Sequence, residues 1–289
     1  MKLGVVGMVS GDFRAFTSEQ MASVRALQFT GIGFHVEIDG FLEITDEVCS
    51  QFNRFMASEN LDVVQFGILY EECLFDPEDG VTERVTAKIN RGLEIGRQID
   101  AHVCLIRAGS LNPDGPWTPH RDNYLPGNIE RLIGTLKPIA RKAELEGVTV
   151  VMETHTISIL DTPETCRKVV DAVGSKNLGL VMDAVNQFQT HRQVYNSADR
   201  LNHIFDVMGR VAPVAHIKDI KVDQELVVHF DETVPGEGEL DIGLMLRRFD
   251  AFHPEGYGLI EHLPMSEIPL AAQNVRRIAA ENGVSIHRR

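Results

Sequence analysis

Four short apolar runs in the second half of the chain each end in a side chain that can bind a hard or borderline cation. Val148-Thr149-Val150-Val151-Met152 runs into Glu153, and Leu178-Gly179-Leu180-Val181-Met182 into Asp183. Pro213-Val214-Ala215 runs into His216, and Gly258-Leu259-Ile260 into Glu261. Three carboxylates and one imidazole suit a single divalent ion such as Mn²⁺, Mg²⁺, Co²⁺ or Zn²⁺, with positions left for water or substrate. Three carboxylates gathered without a cation would repel one another and be forced to take up protons; a shared ion removes that conflict. A lone acid at the end of a strand is ordinarily a solvent or capping residue. Four in successive strands, at the same height, point to one common site.

Such convergence needs parallel strands whose ends meet. Short β-rich runs alternate with longer helical stretches along the whole sequence. The strand candidates cover residues 2–8, 31–36, 62–66, 101–107, 148–154, 178–183, 213–218 and 257–263. Helical spacing of apolar residues is clear over 18–29, 82–99, 129–146, 240–252 and 266–282, and Asp161-Thr162-Pro163-Glu164 has the form of a helix start with proline in the first turn. Gly147 stands where a helix over 129–146 would end. Eight strand–helix units in 289 residues give about 36 residues each, the repeat of a (β/α)₈ TIM barrel, an α/β fold, read here as a single domain over 1–289. The strands are nearly continuous in apolar character, as strands buried on both faces must be. A doubly wound open sheet is the structural rival, but Gly4-Val5-Val6-Gly7-Met8-Val9-Ser10-Gly11 does not fit the G-x-G-x-x-G turn that would announce its nucleotide site. The long loops 108–127 and 220–239 both follow strands at their C-terminal ends, the face where barrel active sites lie.

Met152-Glu153-Thr154-His155, Met182-Asp183-Ala184-Val185-Asn186, His216-Ile217-Lys218-Asp219, Pro235-Gly236-Glu237-Gly238-Glu239-Leu240-Asp241 and Ile260-Glu261-His262-Leu263 together resemble the xylose-isomerase-like TIM barrels. That superfamily includes D-tagatose 3-epimerase, hydroxypyruvate isomerase, inosose dehydratase, C-glycoside deglycosidase catalytic subunits and the endonuclease IV type nucleases. The resemblance extends over essentially the whole chain. It implies one divalent ion, manganese first, held by Glu153, Asp183, His216 and Glu261. It also implies that Glu153 and Glu261 exchange protons with the carbon next to a sugar carbonyl while the ion stabilises the enediolate. A proton beside a carbonyl is too weakly acidic for a carboxylate unless the developing oxyanion is stabilised, and a Lewis acid does that. Two positions depart from the epimerase pattern. Asn186 stands where the epimerases carry a histidine, and Val222 where they carry an arginine. These departures leave room for a lyase or dehydratase that expels a β-leaving group from a keto-sugar or 3-keto-glycoside.

Further residues are candidates for the same mouth. His155 lies two residues past Glu153, so strand alternation points it to the same side, as a base or a substrate contact. Lys218 follows His216 by the same interval and could polarise an oxygen or support a ligand. His35 and Arg107 end earlier strands, Asn186 replaces the epimerase histidine, and Trp117 and His120 sit in the loop 108–127, the tryptophan suited to a sugar face. His155 is read as a catalytic candidate, and His35, Arg107, Trp117, His120, Asn186 and Lys218 as substrate-binding candidates.

Lys plus Arg is 28 and Asp plus Glu is 42, a formal charge of −14. That charge opposes a nucleic-acid partner, as does the shortage of strand-end histidines for a three-zinc nuclease. The absence of a phosphate-binding glycine loop and of a basic cluster argues against a phosphorylated substrate. A catalytically silent binding protein is the remaining class, and it requires that the four strand-end residues hold no metal. The four cysteines form no C-x-x-C pair and read as reduced, buried thiols. No apolar run approaches the roughly 20 residues a membrane span needs, and the first residues lack a secretory pattern, so a cytoplasmic enzyme of a small carbohydrate is expected. By resemblance a homo-oligomer is expected, with a small accessory subunit if the chain is a deglycosidase.

Overall fold

A computed structural model describes residues 1–287. Eight parallel strands close on themselves: β1 (Lys2–Val6), β2 (Gly31–Val36), β3 (Asp62–Ile68), β4 (Val103–Arg107), β5 (Val150–Glu153), β6 (Leu178–Asp183), β7 (Val214–Ile217) and, closing the ring, β10 (Tyr257–Ile260). Closure is made by β1 pairing with β10, Leu3 beside Gly258 and Val5 beside Ile260. An open doubly wound sheet would leave those two edges apart, so the (β/α)₈ barrel stands. Inside it, Val6, Val64, Val103, Leu105, Val151, Val181, Val214, Tyr257 and Leu259 form a compact filling. A second, larger apolar layer lies between the strands and the helices. Near its N-terminal side Phe13, Phe16, Phe34, Phe52 and Phe66 pack with tilted or edge-on rings, the arrangement that the ring quadrupole favours.

The helices are α1 (Ser18–Ala26), α2 (Asp46–Glu59), α3 (Val81–Gln98), α4 (Asn128–Glu146), α5 (Pro163–Val173), α6 (His191–Tyr195), α7 (Ser197–Met208), α8 (Ile242–Phe252) and α9 (Ile268–Glu281). The start of α5 has Pro163 in its first turn, with the Thr162 hydroxyl accepting from the Thr165 N–H. Gly147, at φ +73°, ends α4 as its position suggests. Helices α2 and α7 have no counterpart among the segments named from helical spacing, although both fill gaps that the barrel repeat requires. Helix α1 stops earlier than residue 29 because the chain turns left-handed at Gln28. No helix of the described residues is long and apolar enough to cross a membrane.

The segment 220–239 is not the irregular loop expected. It carries an antiparallel ribbon, β8 (Asp219–Val222) with β9 (Phe230–Thr233), that rises from the barrel mouth and returns. The ribbon is tied at its base by the fully buried Asp219 carboxylate. That carboxylate accepts the N–H groups of Ile220, Gly236, Gly238 and Leu240 at 2.9–3.1 Å. A Cβ on Gly238 would stand 2.3 Å from Asp219 Oδ1, so the loop backbone can approach this carboxylate only with glycine there. The spacing of Asp219 and Pro235-Gly236-Glu237-Gly238 is thus one structural unit. Asp219→Ala leaves these N–H groups without their shared acceptor and is expected to cost about 3 kcal/mol in urea denaturation. Gly238→Ala should destabilise in the same direction by displacing the carboxylate.

Candidate metal centre

Parallel pairing sets the heights of the polar tips. Asp183, the last residue of β6, is in register with His216 of β7, and Glu153, the last residue of β5, with Arg107 of β4. Glu261 follows the final residue of β10 directly. One ligand atom from each of Glu153, Asp183, His216 and Glu261 lies within 4.8 Å of the others. All four are buried, between 0 and 8 % exposed. The chain leaves the strand just after Glu261 through His262, at φ +58°, a left-handed turn unusual for a side chain of this size.

Positive charge is built into this nest. His216 Nδ1 is 2.8 Å from Glu261 Oε1 and 3.3 Å from Asp183 Oδ2. Lys218 Nζ, also buried, is 2.6 Å from Asp183 Oδ2 and 3.3 Å from Glu261 Oε1. Burial alone would push the Asp183 and Glu261 carboxyls up; for Asp183 Lys218 and His216 hold it below the ordinary value, and for Glu261 His216 and Lys218 do the same. The same carboxylates overcome burial at His216, which is pushed up to about 10. Glu153 has the opposite balance. Burial and the charge of Glu261 push it up to about 7, so this carboxyl is the one that accepts and releases a proton most readily near neutrality.

The residues fit a divalent ion. The Oε1 atom of Glu261 is buried without a hydrogen-bond partner, although a nitrogen stands 2.8 Å away. The ligand atoms thus crowd one point with Glu261 Oε1 left without a hydrogen bond, an arrangement a shared cation would resolve. His216 is oriented from behind, with its Nε2 2.8 Å from the Oε1 of Gln65 on β3. A carbonyl oxygen there requires N–H at Nε2, so Nδ1 is the nitrogen that faces the carboxylates and would give up its proton to an ion. Asn186 holds Asp183 in the same way, donating from Nδ2 to Oδ2 at 2.8 Å and from its backbone N–H to Oδ1 at 3.4 Å.

Beside this centre a cavity of about 190 Å³ opens between β2, β3, β4 and the loop after β4; His35, Arg107, Trp117 and Glu153 all line it. His35 stacks on the β3 backbone because position 67 is glycine; a Cβ there would fall 2.4 Å from the His35 Nδ1. Trp117 meets the ring of His155 edge-on at 6.1 Å. Burial holds the His155 imidazole below its ordinary value, and its Nδ1 accepts the N–H of Ile157. His120 is not in the cavity lining; its Nδ1 accepts the N–H of Asp122 and caps the short 3₁₀ turn Arg121–Tyr124. Asn186 and Lys218 face the ligands, where they pair with Asp183. Two residues of the site escaped the sequence reading. Gln65 is a lone amide inside the apolar run Val63-Val64-Gln65-Phe66, a signal that was available. Glu232 arrives on β9, 3.5 Å from Lys218 and 3.2 Å from His262, and only the unforeseen ribbon brings it there.

Gln65→Met removes the acceptor behind His216 at similar volume. It should weaken the binding of a divalent ion by about tenfold or more in titration calorimetry while the chain stays folded.

The fold and this constellation can be set beside known proteins. A family described as "Xylose isomerase-like TIM barrel" matches residues 21–285. A xylose isomerase-like TIM barrel protein from Mycobacterium smegmatis, solved in complex with magnesium, superposes with a TM-score of 0.72 at 16 % identity, over 98 % of this chain and 96 % of that one. D-Psicose 3-epimerase from Clostridium cellulolyticum H10, solved with D-tagatose, superposes at 0.72 with 14 % identity, over 99 % of this chain and all of that one. At these identities the likeness is one of fold. In sequence, an inosose dehydratase from Clostridium perfringens is 26 % identical over 138 residues, 44 % of this chain and 44 % of that enzyme's length. The match across nearly the whole barrel, together with the ligand set at its mouth, makes the chain a member of the xylose isomerase-like TIM barrel family.

Proposed function

We propose that the chain is a divalent-metal-dependent enzyme that moves a proton at the carbon beside a carbonyl of a sugar or sugar-like molecule, an isomerase or epimerase. The observation that carries this reading is the buried convergence of Glu153, Asp183, His216 and Glu261 at the open end of a barrel. These four would hold the ion, manganese first, and the ion would supply Lewis-acid stabilisation of developing negative charge on oxygen. Glu153 and Glu261 come from strands separated by β6 and β7, so they reach a bound substrate from different walls. One carboxylate takes the proton and the other returns it to the opposite face, which is what inversion at a carbon requires. Lys218, 3.3 Å from its Oε1, favours the ionised form of Glu261. Trp117 and the cavity wall keep water from competing for the proton.

Elimination is the second reading. His155, beside Glu153 and packed against Trp117, places another proton carrier at the mouth, where a departing hydroxyl or glycosyl oxygen would need one. The partial match to an inosose dehydratase favours the same reading.

Elemental analysis of the purified chain should find one transition metal per polypeptide; none would favour a binding protein. Incubation with ketoses, inososes and 3-keto-glycosides in D₂O separates the reactions: deuterium in recovered sugar marks proton exchange, whereas release of water or aglycone marks elimination. Glu153→Gln and Glu261→Gln should each lower turnover by at least about 10³-fold with the fold intact. Wild-type rates in either variant would refute the assigned roles.

A further inference from the structure

The cavity beside the metal centre contains a cation that the proton-transfer scheme does not use. Arg107 is 7 % exposed, yet its Nε has no hydrogen-bond partner. Among the described residues its one ion pair is a long contact of Nη2 with Glu71, 3.7 Å away on a side chain that is 83 % exposed. The guanidinium is nevertheless held in place. It stacks over the buried ring of Tyr70 with Cζ 4.9 Å from the centroid. The Tyr70 hydroxyl also accepts the Arg107 backbone N–H at 2.9 Å and donates to the Arg107 carbonyl oxygen. The guanidinium is therefore fixed and largely desolvated, with its Nε unsatisfied, on the wall that also carries Glu153.

We infer that Arg107 is the anchor for a carboxylate on the substrate, so that the sugar-like molecule of the proposed function is an acid, a uronate or related keto-acid. The inference rests on that function and adds the substrate class. Leaving a buried guanidinium edge unpaired is costly, and a carboxylate satisfies two of its donors at once. Displacing the exposed contact with Glu71 costs little. The charge count separates carboxylate from phosphate. A phosphate ester carries about −1.5 to −2 at neutral pH, and no other lysine or arginine lines this cavity among the described residues, whereas a glutamate does. One arginine matches a monoanion. The cavity, about 190 Å³, is of the size for a single small acid.

The test is titration calorimetry of the manganese-loaded chain with D-glucuronate, D-galacturonate and D-mannuronate, each against its parent sugar, and with glucose 6-phosphate. At least one uronate should bind ten- to a hundredfold more tightly than its parent sugar, about the worth of a charge-assisted hydrogen bond. Arg107→Met should abolish that preference and Arg107→Lys retain part of it, both in chains that stay folded and still bind manganese. Absence of uronate binding, equal affinity for acid and sugar, a preference that survives Arg107→Met, or tighter binding of glucose 6-phosphate would overturn the inference. A chain that binds no manganese defeats the proposed function, whereas a manganese-bound chain without acid preference defeats only the anchor.

Discussion

Asp183, Glu261 and Glu153 bring three carboxyl groups into a space that water scarcely reaches. A buried like-charge cluster is among the least favourable arrangements a protein can hold, and it persists only where opposite charge is supplied. Here Lys218 and His216 supply part of it from within the chain, at 2.6–3.3 Å from Asp183 and Glu261. Glu153 lies at the edge of that compensation, and its carboxyl rises accordingly. An ion at the shared point would complete the balance. The supporting contacts follow from this requirement. Gln65 fixes the imidazole and Asn186 fixes the aspartate, so that each ligand presents the atom the charge count needs.

Backbone geometry delivers the groups. In a parallel barrel the strand tips end at one face, and the pairing of Asp183 with His216 sets two ligands side by side without assistance from loops. The loops contribute a different kind of control. The ribbon between Asp219 and Thr233 is anchored by a buried carboxylate within three residues of His216, so the element that carries Glu232 over the mouth is continuous with the strand that carries a ligand. Arg107 and His35 show a third device, in which a flat group is laid on a neighbour, Tyr70 in one case and the β3 backbone in the other.

The barrel and the meeting of Glu153, Asp183, His216 and Glu261 were legible because both rest on local signals: apolar runs of strand length, helical spacing between them, and an acid or imidazole as each run ends. Helix ends that depend on chemistry at one residue, such as Pro163 and Gly147, were legible for the same reason. The ribbon was not, because its apolar face is only Ile220, Val222 and Phe230, spread over two four-residue strands joined by an exposed tip, too short a signal to stand out from a loop. Helices α2 and α7 carry the same signal, Cys49, Phe52 and Met56 in one and Leu201, Ile204, Phe205 and Met208 in the other at helical spacing, and it was passed over. The role of Lys218 could not be resolved from spacing, since a substrate contact and an ion pair place the same residue at the same position. Here it is paired with Asp183, and the buried cationic nitrogen left without a partner is Nε of Arg107.

Leu105 belongs to two structures at once. It is part of the filling that props the barrel open from within, and it also lines the cavity beside Glu153. The floor on which a substrate rests is therefore the upper surface of the core. Whatever enters must leave by the same mouth, and a deeper pocket for a bulkier molecule could be carved only by thinning the packing that keeps the strands apart, at a cost of about 2–5 kcal/mol for a leucine cut back to alanine. In this architecture a change of diet and a loss of robustness arrive with the same mutation, so new specificities are more readily acquired by rewriting the rim than by hollowing the base.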